Sequence, residues 1–410
     1  MRKMLIGVLL PGFLALTACG GQPAPEYAEP LPKDGVCGLM EAPPGQGGWL
    51  IDMEREIYDP SLTTFTYFIR NNTGETAEFG EDYQIRRLEG EEWVDLTPRE
   101  GWGFNCIGFI LEHDGEIALT CTLDRYEEPP EPGSYQLVKP VGSATLYAEF
   151  RLGRSPCTAE APYGFGPLED LPEDYCAYTA SKDCVVFTGS GMRNPEGVEE
   201  FLHKSGLSVP CQLRTVQDCS GGTPVIIDVI YENSRFLRRM RSGGAVAEQY
   251  FSYIVTDGRD ICLSNGADWA SGEKYHDSRT PLIPEGASAG MIAAVEDMTE
   301  SRLAGSSIRY QIWSADGGRR AFLTETGSPT EFTVNGQEPG GGVWSGVYDL
   351  QNWDGTETAI TGISWQGDGR TLLLSCITAE RGTSTLIFDS GTEHLTALEI
   401  CGLPPVEELQ

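Results

Sequence analysis

Between Trp49 and Leu152 the apolar positions come in short runs separated by turn residues. The runs are Trp49–Ile57, Thr63–Ile69, Tyr83–Leu88, Glu92–Leu96, Gly108–Leu111, Glu116–Leu119, Ser134–Val138 and Thr145–Leu152. Asn71-Asn72-Thr73-Gly74, Glu89-Gly90, His113-Asp114-Gly115 and Pro132-Gly133 interrupt them. In Thr64-Phe65-Thr66-Tyr67 and Ser134-Tyr135-Gln136-Leu137 polar and apolar residues alternate, as on a half-buried strand. Short strands at this spacing predict an aligned two-sheet sandwich over residues 48–152. Trp93 is expected in its core, between the sheets, rather than as an aromatic binding residue.

Residues 153–182, with Pro156, Pro162, Pro167 and Pro172, read as a linker. The pattern then changes period. Asp183–Thr188 reads as a strand. Asn194-Pro195-Glu196 opens a helix, with Asn194 as N-cap, Pro195 in the first turn and acids at the positive end of the dipole. Val198, Phe201 and Leu202 mark its buried face, and Gly206 its stop. Gln212–Val216, Val225–Tyr231, Phe236–Met240 and Tyr250–Val255 follow as strands. One strand, one helix and then hairpins predict an α+β unit over residues 183–270.

Residues 271–410 read as an antiparallel β unit. Trp313-Ser314-Ala315-Asp316-Gly317-Gly318-Arg319 has a partner in Trp365-Gln366-Gly367-Asp368-Gly369-Arg370. Each Asp-Gly marks a hairpin turn, because glycine tolerates positive φ. Apolar runs follow, Ala321-Phe322-Leu323 and Leu372-Leu373-Leu374. The W-x-x-D-G pattern resembles one blade of a TolB-like β-propeller. Two copies are fewer than the four to eight blades, roughly, that close a propeller. The expectation is two similar hairpins in one antiparallel sheet, with a partial propeller as the alternative. The fold class is therefore mostly β: a sandwich, then an α+β unit, then a hairpin or propeller-blade-like unit.

The front of the chain has a different chemistry. Met1-Arg2-Lys3 is basic, and Met4 to Leu16 is apolar and uncharged. A bilayer span needs about 20 such residues, so this run suits the h-region of a signal peptide. Leu16-Thr17-Ala18-Cys19 follows, and resembles the lipobox of bacterial lipoproteins. The resemblance implies a signal peptide over residues 1–18 and a cut before Cys19. It also implies a diacylglycerol on the Cys19 sulfur and a further acyl chain, such as palmitate, on the new amino end. Two chains at about 0.8 kcal/mol per buried CH₂ anchor stably where one does not. Residues 19–47, rich in proline from Pro23 to Pro32, form a polar tether.

The first unit also carries a family likeness. Tyr67-Phe68-Ile69-Arg70-Asn71-Asn72, Phe79-Gly80-Glu81-Asp82-Tyr83, Glu92-Trp93-Val94, Pro132-Gly133-Ser134-Tyr135-Gln136-Leu137-Val138-Lys139 and Tyr147-Ala148-Glu149-Phe150 come in that order. The string resembles a bacterial immunoglobulin-like domain that recurs in secreted lipoproteins of Bacillota. It implies no catalytic residue. Val185-Val186, the Asn194–His203 helix, Leu213-Arg214-Thr215-Val216 and Thr223-Pro224-Val225-Ile226-Ile227-Asp228 are similar to a domain of unknown function in Bacillota secreted proteins, which implies no reaction.

Composition narrows the chemistry. Asp plus Glu number 61 against 29 Lys plus Arg, a formal charge of −32. Such a chain repels phosphate backbones, so no nucleic-acid partner is expected. Four His and no C-x-x-C leave no expected metal site. No cofactor is implied. Gly286-Ala287-Ser288-Ala289-Gly290 matches G-x-S-x-G, but Pro281 and Pro284 spoil the strand that a nucleophile elbow needs. His276 and His394 sit in turn-like stretches and offer Ser288 no partner. In Asp349-Leu350-Gln351-Asn352-Trp353-Asp354-Gly355 the register is wrong for an EF-hand loop. Arg235, Arg238, Arg239 and Arg241 are read as a solvated strand face pairing with local acids, against an anion patch. Among twelve cysteines, Cys211–Cys219 and Cys106–Cys121 are expected to pair in an oxidising compartment.

The sequence points to an anchored protein on the extracytoplasmic face of the cell membrane. It is read as a non-catalytic binding or interaction module, held to the membrane through Cys19, with a protein or envelope polymer as partner. The alternative is an enzyme or enzyme inhibitor acting on envelope polymers through the C-terminal half. A carboxylate-lined cleft there would favour it. A substrate-capture role is disfavoured by the lack of a two-lobed α/β pattern.

Overall fold

The computed structural model describes residues 48–398, apart from 178, 181–183, 190, 218–222, 275–276, 278, 284–285, 305, 326–330, 338–342, 350–357, 369, 379–381 and 390–393. Cys19 and the Pro-rich tether lie outside the described residues. No helix among the described residues is long and apolar enough to cross a membrane.

The first unit is built from β1 (Trp49–Met53), β2 (Ile57–Tyr58), β3 (Thr64–Asn71), β4 (Ala77–Gly80), β5 (Gln84–Glu89), β6 (Glu92–Asp95), β7 (Gly108–Leu111), β8 (Glu116–Thr122), β9 (Gly133–Val141) and β10 (Ala144–Leu152). One sheet runs β1-β3-β8 and the other β2-β10-β9-β5-β6, with β4 paired to β7. The run Trp49–Ile57 divides between the sheets, because β2 leaves β1 to pair in parallel with β10. Alternation decides the packing: Leu146, Ala148, Phe150 and Leu152 point inward from β10, and the residues between them outward. Phe150 lies 5.5 Å from the stacked ring of Tyr135 and 5.2 Å from Phe65. Lys139 is fully buried, and its ammonium donates to the carbonyls of Gly80 at 2.5 Å and Asp82 at 2.7 Å. Trp93 departs from expectation. It is only half-buried on β6, the edge strand, and Trp49 is the tryptophan in the core.

Residues beyond Leu152 form a strap rather than a free spacer. Leu168 and Ala177 are buried against Val186, Val216 and Ile226. The strap covers one face of a sheet made from β11 (Val185–Thr188), β12 (Gly191–Arg193), β13 (Cys211–Gln217), β14 (Val225–Glu232), β15 (Arg235–Ser242) and β16 (Ala245–Phe251), in the order β12-β11-β13-β14-β15-β16. Helix α1 (Glu196–Gly206) crosses over between β11 and β13, which run parallel. Asn194 is not the helix cap. It adopts φ +60, and its side-chain amide donates to the Cys184 carbonyl at 2.8 Å. Local chain reversal captured the group that the helix end was expected to use.

The run Tyr250–Val255 also divides. Ser252 separates β16 from β17 (Tyr253–Thr256), which pairs with β18 (Ile261–Ser264) and, through it, with β19 (Thr280–Ile283). Helix α2 (Trp269–Lys274) lies between β18 and β19, and α3 (Ala289–Leu303) follows. Met291, Val295 and Met298 of α3 share one core with Phe201 and Leu202 of α1 and with Leu213, Val229 and Phe236 of the sheet. The core of the α+β unit thus reaches past residue 270.

The last unit holds β20 (Ile308–Trp313), β21 (Arg320–Glu325), β22 (Glu331–Gln337), β23 (Val343–Asp349), β24 (Thr358–Trp365), β25 (Thr371–Thr378), β26 (Gly382–Asp389) and β27 (His394–Leu398). The two repeated hairpins do not share a sheet. The first opens the meander β20-β21-β22-β23, the second the meander β24-β25-β26-β27. Each repeat therefore contains four strands, of which the W-x-x-D-G pattern marked only the first pair. Asp316 and Asp368 play the same part in the two turns, accepting from the backbone N–H groups of Gly318 and Arg370, each at 2.9 Å. The Thr371 hydroxyl and two backbone N–H groups bring the Asp368 carboxyl down to about 2.

The expected disulfide Cys106–Cys121 is absent. Cys106 is exposed before β7 and Cys121 is buried on β8, whereas a bridge needs Cβ atoms about 4 Å apart. Cys211 is a buried thiol whose sulfur lies 3.8 Å from the Phe201 carbonyl. Its expected partner Cys219 lies outside the described residues.

Sandwich and α+β unit meet across a buried ionic junction. Lys204 of α1 pairs with Glu54 at 3.0 Å and with Glu200 at 2.5 Å. His203 contacts Glu116 of β8 at 3.1 Å, and Arg70 binds the same carboxylate at 2.9 Å. Burial pushes the Glu54 carboxyl up, but Lys204 and Arg55 more than reverse this and hold it below its ordinary value of 4.5. A depressed carboxylate stabilises the fold above its unfolded pKa, and that contribution is lost as the pH falls through the folded one. Lys204→Ala should cost about 3–5 kcal/mol in urea unfolding at neutral pH, because it leaves Glu54 buried without its partner. The stability gap between the native chain and Glu54→Gln should shrink as the pH drops below 4.5. A gap that stays constant would show that the junction carries no such linkage.

Candidate functional site

Helix α3 positions one wall of a surface groove. Ser288 starts the helix: its hydroxyl oxygen accepts from the Met291 N–H at 3.2 Å. From that start, Met291, Val295 and Met298 face the core. Glu296, Thr299, Glu300 and Leu303 then fall on a shared outer face, three and four residues apart. They line a groove of ≈550 Å³ together with Val255 and Thr256 of β17, Asp268 and Trp269. Val255 is buried in the core.

Trp269 is held from both ends. Its indole N–H donates to Glu273 at 3.2 Å, and the Arg279 guanidinium lies 3.7 Å from its ring centroid. Arg279 also donates to the Trp269 carbonyl at 3.2 Å. Asp268 accepts from the Ser271 N–H at 2.6 Å, which fixes the turn into α2. Among the described residues the lining therefore combines aliphatic side chains, an aromatic ring and three carboxylates, with no basic residue. Such a lining favours a ligand with both a cationic and an apolar part.

A second concavity, of ≈290 Å³, lies between the strap and the outer face of β14 and β15. Most of its charges are already engaged. Asp228 receives both Nε and Nη2 of Arg214, at 2.6 and 2.7 Å, in a pair almost wholly buried. Tyr163 donates to Glu232 at 2.5 Å. Arg239 binds Glu169 at 2.6 Å and Glu248 at 2.8 Å. These pairs hold the strap on the sheet.

The arginine cluster is divided by strand alternation. Arg235, Arg239 and Arg241 lie on the strap-covered face, and Arg238 on the other. Arg239 pairs with acids as expected. Arg235 instead donates to the Gly317 carbonyl and stacks on Tyr250 and Trp313, while Arg241 reaches the Pro172 carbonyl at 3.4 Å. Ser288 of the G-x-S-x-G match is a helix cap. His276 lies outside the described residues, and His394 falls at the start of β27. Asp349 ends β23, and the residues after it to Gly355 lie outside the described residues. Among the described residues no group of three or more His, Cys, Asp or Glu is arranged to hold a metal ion.

Trp269, Glu296 and Glu300 were not singled out in the sequence. The available signal was Ser288 ahead of Met291, Val295 and Met298, a cap followed by apolar residues at helical spacing.

The sandwich places the first unit in the immunoglobulin-like class. Residues 46–151 match the family model of the bacterial Ig-like domain. No curated protein matches the chain. Among solved structures, a puromycin hydrolase mutant complexed with PGG is similar at 13% identity and a TM-score of 0.20, over 46% of this chain and 30% of that one. The chain thus spans under a third of that hydrolase. The sporulation control protein Spo0M of Bacillus subtilis is similar at 10% identity and a TM-score of 0.18, over 50% of this chain and 91% of that one. A periplasmic gluconolactonase of Pseudomonas aeruginosa is similar at 11% identity and a TM-score of 0.18, over 85% and 70%.

Replacing Ser288 tests the cap directly. Ser288→Ala should lower stability by about 1 kcal/mol through the lost N-cap, and Ser288→Thr should restore most of it. Thermal unfolding of the three chains reads the difference. Equal stability of Ser288→Ala and the native chain would remove the capping role.

Proposed function

We propose that this chain is a lipid-anchored interaction protein of the extracytoplasmic face of the cell membrane, tethered through Cys19, and that it works by binding rather than by catalysis. The Ig-like domain at residues 46–151 supports a surface interaction role. The lipobox ahead of a Pro-rich tether supports the anchor. The observation that carries the non-catalytic part is how the buried carboxylates are used. Asp228 is clasped by both arms of Arg214, and Glu54 by Lys204 and Arg55. A carboxylate whose lone pairs are taken by fixed cations is a poor proton acceptor for a substrate. The partner is a protein or an envelope polymer.

The acid-lined groove favours a second reading, an enzyme acting on an envelope polymer. Among the described residues its lining holds three carboxylates and no histidine. Both readings meet in two measurements. In cells, Cys19→Ala should leave the membrane fraction or accumulate as unprocessed precursor. Correctly cut, tightly bound Cys19→Ala protein would overturn the anchor. The purified full chain should leave isolated cell-wall polymer uncut. Cleavage that Glu296→Gln abolishes would establish the enzymatic reading instead.

A further inference from the structure

We infer that the adjacent arginines Arg99 and Arg125 of the Ig-like domain, with Trp102 and Phe104 beside them, form a binding site for a carboxylate carried next to an apolar side chain on a partner polypeptide. This deepens the interaction-protein reading and rests on it.

Arg125, just after β8, supplies the first argument. It is 4% exposed, yet it meets no carboxylate among the described residues. Its guanidinium donates to the Tyr83 carbonyl at 3.4 Å, and its Nε is buried without a partner. The ring centroids of Phe104, Tyr83 and Tyr126 lie 3.8, 4.7 and 5.2 Å from it. Rings attract a cation but offer its N–H groups no carboxylate oxygen. A buried charge is costly unless it is paired, so the place of one acceptor stands open.

The second argument is independent of burial. The Arg99 N–H donates to the Arg125 carbonyl at 2.8 Å, and Pro98 pairs with Tyr126, so the two arginines stand side by side across a short antiparallel bridge. Arg99 donates from Nε to the Tyr126 carbonyl at 2.6 Å. Its side chain meets no carboxylate among the described residues either, and the residue is exposed. Elsewhere in this domain Arg55, Arg70, Arg86, Arg87 and Arg151 each bind a carboxylate. The two arginines that bind none are therefore neighbours, in a chain with 61 acidic residues against 29 basic ones. Like charges side by side repel, and an anion shared between them removes that cost.

The surroundings select the anion. Glu100, Asp124, Glu127 and Glu128 lie next to the pair along the chain. They disfavour a doubly charged phosphate more than a singly charged carboxylate. In the loop from Gly101 to Ile107, Phe104 is half-buried and every other residue is exposed. Trp102 is 50% exposed and Ile107 48%. This apolar surface rewards an aliphatic neighbour of the carboxylate, which a peptide supplies and an inorganic anion does not. Tryptophan and arginine are also the residues that dominate binding at protein interfaces. Displacing the Phe104 ring bares the Arg125 guanidinium to such a ligand.

The test uses the purified full chain in detergent micelles and four probes: acetyl-Leu-Glu-Leu-Leu amide, the same peptide with glutamine for glutamate, glucuronate and inorganic phosphate. Titration calorimetry should show binding of the glutamate peptide, weakening as salt is raised. The glutamine peptide should bind about tenfold more weakly or worse. Arg125→Met should lower affinity for the glutamate peptide by about tenfold or more. Its melting temperature should hold or rise, because an unmatched buried charge is replaced by an apolar chain. Arg99→Gln should lower affinity by about threefold at an unchanged melting temperature. Equal binding of the two peptides, or unchanged binding by Arg99→Gln, would overturn the proposal. A fall in the melting temperature of Arg125→Met with binding intact would make Arg125 purely structural. Should that variant not fold, the exposed Arg99→Gln decides alone. Phosphate binding as tightly as the glutamate peptide would replace the carboxylate with any oxyanion. Glucuronate doing so would replace the polypeptide with a sugar acid. These outcomes on purified protein stand apart from release of Cys19→Ala in cells, which bears on the anchor, and from cleavage of cell-wall polymer, which bears on catalysis.

Discussion

Strand β14 has both faces covered, and the two covers differ in chemistry. Ile227, Val229 and Tyr231 face the helices α1 and α3. Ile226, Asp228, Ile230 and Glu232 face the strap. A period of two separates these sets by a single residue, so a slip of one position would put Asp228 under a helix and Val229 under the strap. Arg214 lies directly opposite Asp228 in the register. Its guanidinium closes the bidentate pair and also donates to the Gly166 carbonyl at 2.6 Å. The same contact that neutralises a buried acid thus locates the strap.

From that sheet the rest of the architecture follows outward. Its helical face sets the position of α1, and α1 presents Lys204 and His203 to the Ig-like domain. The junction is made from charged groups in a buried place, which is costly unless every charge is matched. Matching them ties the orientation of the sandwich to the helix. An apolar junction of equal area would grip without specifying a rotation as narrowly.

The same core sets α3, and α3 sets the groove. Inward residues of this helix are chosen for packing. Its outward residues carry acids in positions that a helix on its own does not favour. Packing against α1 and the sheet supplies enough stability to tolerate them. Some buried charges are met by an opposite charge, as in Arg214–Asp228 and Lys204–Glu54, and others by carbonyls, as at Lys139.

Most strands of the Ig-like domain were legible because alternation and turn residues are local signals, although β4 was not among the runs. Helix α1 and the strands β13, β14 and β15 were legible too, whereas most of β16 was not. Breaks at Glu54-Arg55 and at Ser252 were not legible. A strand that changes sheets keeps its apolar pattern, and only the partner strand reveals the change. Trp93 was misplaced for a related reason: side-chain chemistry suits a core, but whether a strand lies at the centre or the edge of a sheet is a long-range fact. The two W-x-x-D-G turns were found correctly, yet their membership in separate sheets depended on two further strands per repeat. The likeness to a lipobox around Cys19 is a linear motif, and it lies outside the described residues. Glu296, Glu300 and Trp269 came to line one groove only through the packing of the elements that carry them. Sequence encodes which face of each element is apolar. Which polar faces come together is decided by packing those apolar faces on one another.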